Sequence, residues 1–188
     1  QDPVEKRLDQ VTIDSVGYAE AATTYLLSRG HREIVLINGP SFQAYQNVAQ
    51  GYLRALSKAG EPHREDLIVP CPEATASAAD AALTIALERR APDALFAADE
   101  RLFQGVVLSL LKNGVDIAEV IRMTNNADVD LAYPFPTAKV LVDSSLIAEA
   151  ALSLLKRRFE KRDRAPETIC LCDFDVLQTN TAFEVASS

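Results

Sequence analysis

Gly30-His31-Arg32-Glu33-Ile34-Val35-Leu36-Ile37-Asn38-Gly39-Pro40 decides the fold class of this chain. Just before it, Ala21 to Arg29 reads as a helix with Ala22, Tyr25 and Leu26 on one face. Gly30 falls where that helix must stop, because glycine enters the left-handed C-cap conformation without steric cost. Ile34 to Ile37 is an unbroken apolar run, the mark of a parallel strand covered on both faces. Gly39-Pro40 ends the strand. The segment reads helix, tight turn, buried strand, then a loop at the strand's carboxyl end, where open α/β sheets bind ligands.

The same alternation runs outward. Residues 11–14 read as a strand and 17–29 as a helix. Beyond Gly39, apolar residues at 42, 45, 48, 49, 52, 53 and 56 have helical spacing, closed by Gly60 and Pro62. Leu67 to Val69 is a short strand, 74–90 an alanine-rich helix, and 94–98 a strand. A helix over 100–113 and a strand over 120–124 follow, then a loop through Pro134 and Pro136. Lys139 to Asp143 reads as a strand and 145–161 as the last long helix, with Leu146, Ile147, Ala150, Ala151, Leu154 and Leu155 inward. Its basic end, Lys156 to Arg164, suits the helix dipole and reads as a solvated cap. Residues 169–178 alternate weakly, as one closing edge strand would. The order is that of a doubly wound α/β fold.

The chain has 188 residues, 48% of them hydrophobic, enough for one ordinary domain or two small lobes. A net charge of −8 does not suit the phosphate backbone of DNA. Three cysteines, 71, 170 and 172, argue against a disulfide framework and suit a reducing cytosol. Cys170-x-Cys172 puts two thiols on one face of a strand with no second ligand pair, so buried structural thiols are expected and no metal. No apolar run approaches the roughly 18 residues that a membrane span needs. The opening residues carry no apolar signal core and no Met, which reads as a fragment or processed chain.

Val11-Thr12-Ile13-Asp14, Gly17, then Tyr25-Leu26-Leu27-x-x-Gly30-His31-Arg32-x-Ile34-x-x-x-x-Gly39 resembles the effector-binding domain of LacI/GalR-type bacterial transcription regulators. Gly51-Tyr52-x-x-Ala55-Leu56-x-x-x-Gly60 and Pro92-Asp93-Ala94-Leu95-Phe96-Ala97-Ala98-Asp99-Glu100, with Gly105 and Leu110-Leu111 after them, extend the resemblance over nearly the whole chain. It implies a two-lobe periplasmic-binding-protein-like type I fold, with parallel sheets flanked by helices and three crossovers. The C-terminal lobe would be 41–126, and the N-terminal lobe 1–40 with 127–188. In the family a further β-α-β-α-β stretch and a helix-turn-helix come first. They are missing here, so the first lobe is expected to be partial. The resemblance also implies a cytoplasmic homodimer, a small sugar-like effector, no cofactor, and operator DNA met only through the head domain.

Little points to catalysis. His31 sits in a helix–strand turn, where hydrogen bonding within the turn is the expected role, and His63 lies in a polar loop. There is no Gly-x-Ser-x-Gly elbow, no Gly-x-Gly-x-x-Gly and no phosphate loop. A binding cleft needs convergent polar groups and an apolar wall. Strand ends offer Asp14 and Ser15, then Ser41, Phe42 and Tyr45, then Asp99 with Phe103, then Asn125 and Asn126. Asp99 and Asn126 fall where the family places sugar contacts.

Departures from the family pattern bear on the ligand. Val48 replaces an arginine that usually precedes Gly51-Tyr52, and Glu73 replaces an aromatic platform. Asp99-Glu100 stands for Asn-Asp, and Thr124-Asn125-Asn126-Ala127 for Gly-Tyr/Phe-Asp-Asp. Losing the forked guanidinium removes bidentate recognition, and Glu73 with Asp99 makes an acidic pocket. A ligand with more donors than acceptors, amine or nucleoside-like, is therefore expected. The rival functions are a periplasmic sugar-binding protein of a transport system and, further off, an α/β enzyme.

Overall fold

The computed structural model describes residues 8–125 and 133–179. The first stretch holds β1 (Gln10–Ile13), α1 (Ser15–Ser28), β2 (Ile34–Asn38), α2 (Gln43–Lys58), β3 (Ile68–Pro70), α3 (Ala76–Leu87), β4 (Ala94–Ala97), α4 (Glu100–Asn113) and β5 (Glu119–Thr124). The second holds β6 (Thr137–Leu141), α5 (Ser144–Glu160), β7 (Thr168–Leu171) and β8 (Asp175–Thr179).

The deciding segment behaves as its residues require. Gly30 takes φ +96°, in the left-handed region. All five residues of β2 are buried, because α2 and α4 both contact the strand. Asp14 Oδ1 accepts from Gly17 N at 2.9 Å, so α1 is capped at its start and begins at Ser15, earlier than the spacing alone implies.

Six strands form the main sheet in the order β3-β2-β4-β5-β6-β8. The pairs are parallel, except that β8 runs antiparallel to β6. Register is set by pairs such as Val35 with Leu95 and Leu95 with Val120. Leu36, Ile37, Leu95, Phe96, Val120 and Ile121 fill the centre of the core. Each such side chain contributes about 1.5–3 kcal/mol when fully buried. Helices pack closely where glycine permits. A Cβ on Gly51 of α2 would stand 2.2 Å from Val16 O of α1, and one on Gly105 of α4 would stand 2.2 Å from Ala76 O of α3.

β1 and β7 form a separate parallel pair, on which α5 rests. Three expectations change here. First, the lobe borders at 40/41 and 126/127 do not fall between sheets. β2, β6 and β8, all expected in the first lobe, hydrogen-bond into the sheet that holds β3, β4 and β5. Second, residues 169–178 are not one strand. The chain leaves β1's side at Leu171 and joins β6 at Asp175, with Phe174 turning inward to meet the Tyr18 ring edge-on. Third, the thiols of Cys170 and Cys172 are exposed, since Ile169 and Leu171 take the inward face of β7; Cys71 is buried.

The small β1–β7 pair cannot cover a 17-residue helix. Only Leu154 of α5 is fully buried, while Leu146 and Leu155, expected inward, are exposed. The basic run at its end is not simply solvated. Arg158 and Arg164 converge on Asp9 at 3.0 and 2.9 Å, and Glu167 N donates to the same carboxylate at 2.9 Å. This hub ties the approach to β1 to the approach to β7. The Arg158 guanidinium leads in holding the Asp9 carboxyl below its ordinary range.

Candidate functional site

Strand order reverses between β2 and β4. From β2 the chain steps outward to β3, then returns past β2 to β4, β5 and β6. At such a reversal the loops leaving neighbouring strand ends diverge, and a crevice opens at the carboxyl edge. A cleft of about 400 Å³ lies on this edge. The β1–α1 junction supplies Ile13, Ser15 and Tyr18, and the first turn of α2 supplies Ala44 and Tyr45. The β4–α4 junction supplies Ala98 to Arg101, and the end of β5 supplies Met123, Thr124 and Asn125.

Asp99 organises the cleft. It is the N-cap of α4, with Oδ1 accepting from Leu102 N at 2.9 Å. Its Oδ2 accepts from the Tyr45 hydroxyl. The Arg101 guanidinium stands 3.7 Å from the same oxygen, on a side chain that is largely exposed. Burial and then the bond to Asp99 push the Tyr45 phenol up to about 12. Tyr18 donates to Ala98 O at 3.2 Å, and burial raises its phenol also. Both tyrosines are therefore neutral donors already in use.

The neighbouring carboxylate is also paired. Glu100 Oε2 accepts from Arg122 Nε at 3.1 Å. Arg122 is 2% exposed and lies over the Phe103 ring at 4.4 Å from its centre. Its Nη1 is buried without a hydrogen-bond partner.

The expected site residues separate into groups. Tyr45 and Asp99 meet in the cleft, joined by Ser15 and Asn125. Asp14 sits beside the cleft as the cap of α1. Phe103 is fully buried beneath Arg122. Ser41 and Glu73 are exposed and do not line the cleft. Asn126 lies outside the described residues. Val48, in place of an arginine, is wholly within the core. Glu73 lies away from the cleft, and each oxygen of Asp99 already accepts one hydrogen bond within the protein. Sequence reasoning missed Tyr18, Arg101 and Met123. Tyr18 is one turn into α1, where a capping Asp14 ahead of it signals that the face reaches the sheet edge; Met123 is the penultimate residue of a buried strand. Among the described residues no group of three or more His, Cys, Asp or Glu could hold a metal ion.

Comparison with known proteins accords with this geometry. Residues 23–174 match the family described as periplasmic binding protein-like domain. The HTH-type transcriptional repressor PurR of Yersinia pestis bv. Antiqua is 28% identical over 154 residues, 79% of this chain and 44% of that repressor. A structure of the transcriptional regulator CelR in complex with cellobiose superposes with TM-score 0.80 at 27% identity, covering 93% of this chain and 54% of that one. A LacI-family transcriptional regulator from Sanguibacter keddieii gives TM-score 0.80 at 27% identity, over 97% and 69% of the two chains. The chain spans about half the length of the curated relatives it matches. These relatives are transcriptional regulators, not transport proteins or enzymes. The chain belongs to the periplasmic binding protein-like domain family, as an α/β effector-binding domain of the LacI-type transcription regulators.

Proposed function

We propose that this chain binds a small organic effector in the cleft at the carboxyl ends of β2, β4 and β5, and that it performs no covalent chemistry. The carrying observation is the cleft at the strand reversal, to which four separate junctions each contribute side chains. Ser15, Arg101 and Asn125 are its ligand-facing polar groups, the Tyr45–Asp99 pair forms one side, and Ile13, Tyr18 and Met123 are the apolar wall. Asp14 and Phe103 position this edge from behind. The six-stranded sheet with its helices is one lobe, and the small β1–β7 pair with α5 is the described part of the other. Their closure over the ligand is the switch. Ligand shifts the population toward the state it binds better, with a coupling of about 1–3 kcal/mol typical of such devices. In the full regulator that shift alters a homodimer and, through it, the affinity of a head domain for operator DNA in the cytoplasm. A pI of about 4.8 supports a division of labour in which this domain does not itself grip DNA. Among the described residues no helix is long and apolar enough to cross a membrane.

A thermal-shift panel of sugars, nucleosides and amines tests the reading. A compound at about 100 times its Kd adds about 2.7 kcal/mol to stability, and Ser15→Trp, which fills the cleft, must abolish that gain. A stabilising compound indifferent to Ser15→Trp, or turnover of any panel compound, would overturn it. CelR was captured with cellobiose and an Enterococcus faecium LacI-family regulator with ribose, so both sugars belong in the panel.

A further inference from the structure

The crevice between β2 and β4 already has an occupant. A Cβ on Gly39 would stand 2.3 Å from Tyr45 Cζ and 2.5 Å from Cε1 and Cε2, so the tyrosine ring lies where any other residue's side chain would begin. The Tyr45 hydroxyl ends on Asp99 Oδ2, and its carbonyl accepts from Asn38 Nδ2 at 2.9 Å. Asn38 ends β2 and Gly39 follows it, while Asp99 follows β4. Tyr45 therefore bridges the two sides of the strand reversal. It consumes the one oxygen of Asp99 that capping of α4 leaves over. At the same strand end Asn38 Oδ1 is buried with no hydrogen-bond partner among the described residues.

We infer that Tyr45 is the specificity-determining residue of this cleft: its ring plugs the strand-reversal crevice and bars hydroxylated sugar rings that Asp99 and Asn38 could otherwise hold. This rests on the cleft reading above. A sugar entering the crevice has to lift the ring off Gly39 and take Tyr45's place on Asp99. Any buried group it then leaves unpaired carries a desolvation cost. The ligand of the unaltered protein instead lies against the outer face of Tyr45, beside Ile13, Tyr18 and Met123. It meets Ser15, Arg101 and Asn125 at its polar edge. It is a molecule with one broad apolar face, not a polyol.

Calorimetric titration of the 188-residue chain with D-ribose and with cellobiose tests this. The unaltered chain and Tyr45→Phe, which keeps the ring, should bind neither sugar at millimolar concentration. Tyr45→Ala, with its far-ultraviolet dichroism unchanged, should bind at least one with Kd at or below about 1 mM, a gain of about tenfold or more. Adding Asp99→Asn, which keeps the helix cap, should cost most of that gain. Tyr45→Val, retaining apolar bulk on Gly39, replaces Tyr45→Ala if the latter melts. Equal sugar binding by the unaltered chain and Tyr45→Ala overturns the plug, and so does a folded Tyr45→Ala or Tyr45→Val that binds neither sugar. The cleft reading is scored separately on Ser15→Trp. A panel compound lost in Ser15→Trp beside a sugar-blind Tyr45→Ala leaves the cleft standing and removes only the plug.

Discussion

The Tyr25 hydroxyl donates to Glu119 Oε1 at 2.8 Å, joining residues 94 positions apart in the chain. The other oxygen of that carboxylate accepts from Arg29 Nε at 2.8 Å and stands 3.4 Å from His31 Nε2. Glu119 opens β5, and its side chain is 2% exposed. The C-terminal turn of α1 and the turn after it are thus fastened to the amino edge of the sheet, opposite the cleft. His31 does serve its turn, but its partner comes from a distant strand.

Glu119→Ala removes the carboxylate that the Tyr25 hydroxyl donates to and leaves Arg29 and His31 without their shared acceptor. A partly buried donor that loses its acceptor costs about 1–3 kcal/mol. The unfolding free energy should fall by about that amount, read as a lower urea midpoint with the denaturant slope unchanged. A midpoint equal to that of the unaltered chain would show that the cluster contributes nothing net.

Gly105→Ala forces α3 and α4 apart, because the new methyl would lie 2.2 Å from Ala76 O and 2.6 Å from Ala79 Cβ. Overpacking costs about 1–3 kcal/mol, against a gain in helix propensity of up to about 1 kcal/mol. The net expectation is a lower melting temperature. A higher one would mean that the helix pair separates without strain.

Arg122 is a buried cation whose Glu100 partner is 43% exposed. Losing the guanidinium returns Glu100 to water at little cost, and a buried Nη1 without a partner disappears. Arg122→Met should therefore be neutral or stabilising, as buried ion pairs replaced by apolar residues often are, by up to about 1–4 kcal/mol. Arg122→Ala, which opens a cavity against the faces of Phe103 and Tyr133, should cost about 2–5 kcal/mol. Parallel melting curves decide. A large loss in Arg122→Met would show that the charge itself is required.

Alkaline pH acts through the tyrosines. Burial, and then Asp99, raises Tyr45 to about 12, and burial raises Tyr18 and Tyr52 as well. Unfolded tyrosine titrates near about pH 10, so the unfolded chain releases its phenolic protons first. Stability is then full below about pH 10 and falls as pH climbs through the higher folded values. Phenolate absorbance and urea midpoints recorded together should show that fall, and Tyr45→Phe should make it shallower. A midpoint flat between about pH 9 and 12 would contradict it.

Much of the fold was legible in short stretches of chain. Gly30 ends a helix because of its own backbone freedom, and Ile34 to Ile37 is buried because nothing in it can face water. Asp14 and Asp99 precede helices and cap them. The order of motifs from Val11 to Leu111 carried the family, since each motif answers a local steric demand of one strand end or helix start. What lay beyond reach was every relation between distant residues. Period-2 spacing put Cys170 and Cys172 on one face of a strand; whether that face met the core depended on which side α5 covers. Residues 169–178 alternate weakly with no break that marks a boundary, yet hydrogen bonds to β1 and to β6 divide them between two sheets. That Asp99 follows a strand and caps a helix is local, but that its second oxygen accepts from Tyr45, on another helix, is not. Local conformation follows from a residue and its near neighbours, whereas sheet membership and the pairing of buried polar groups are settled only when the packed chain chooses partners.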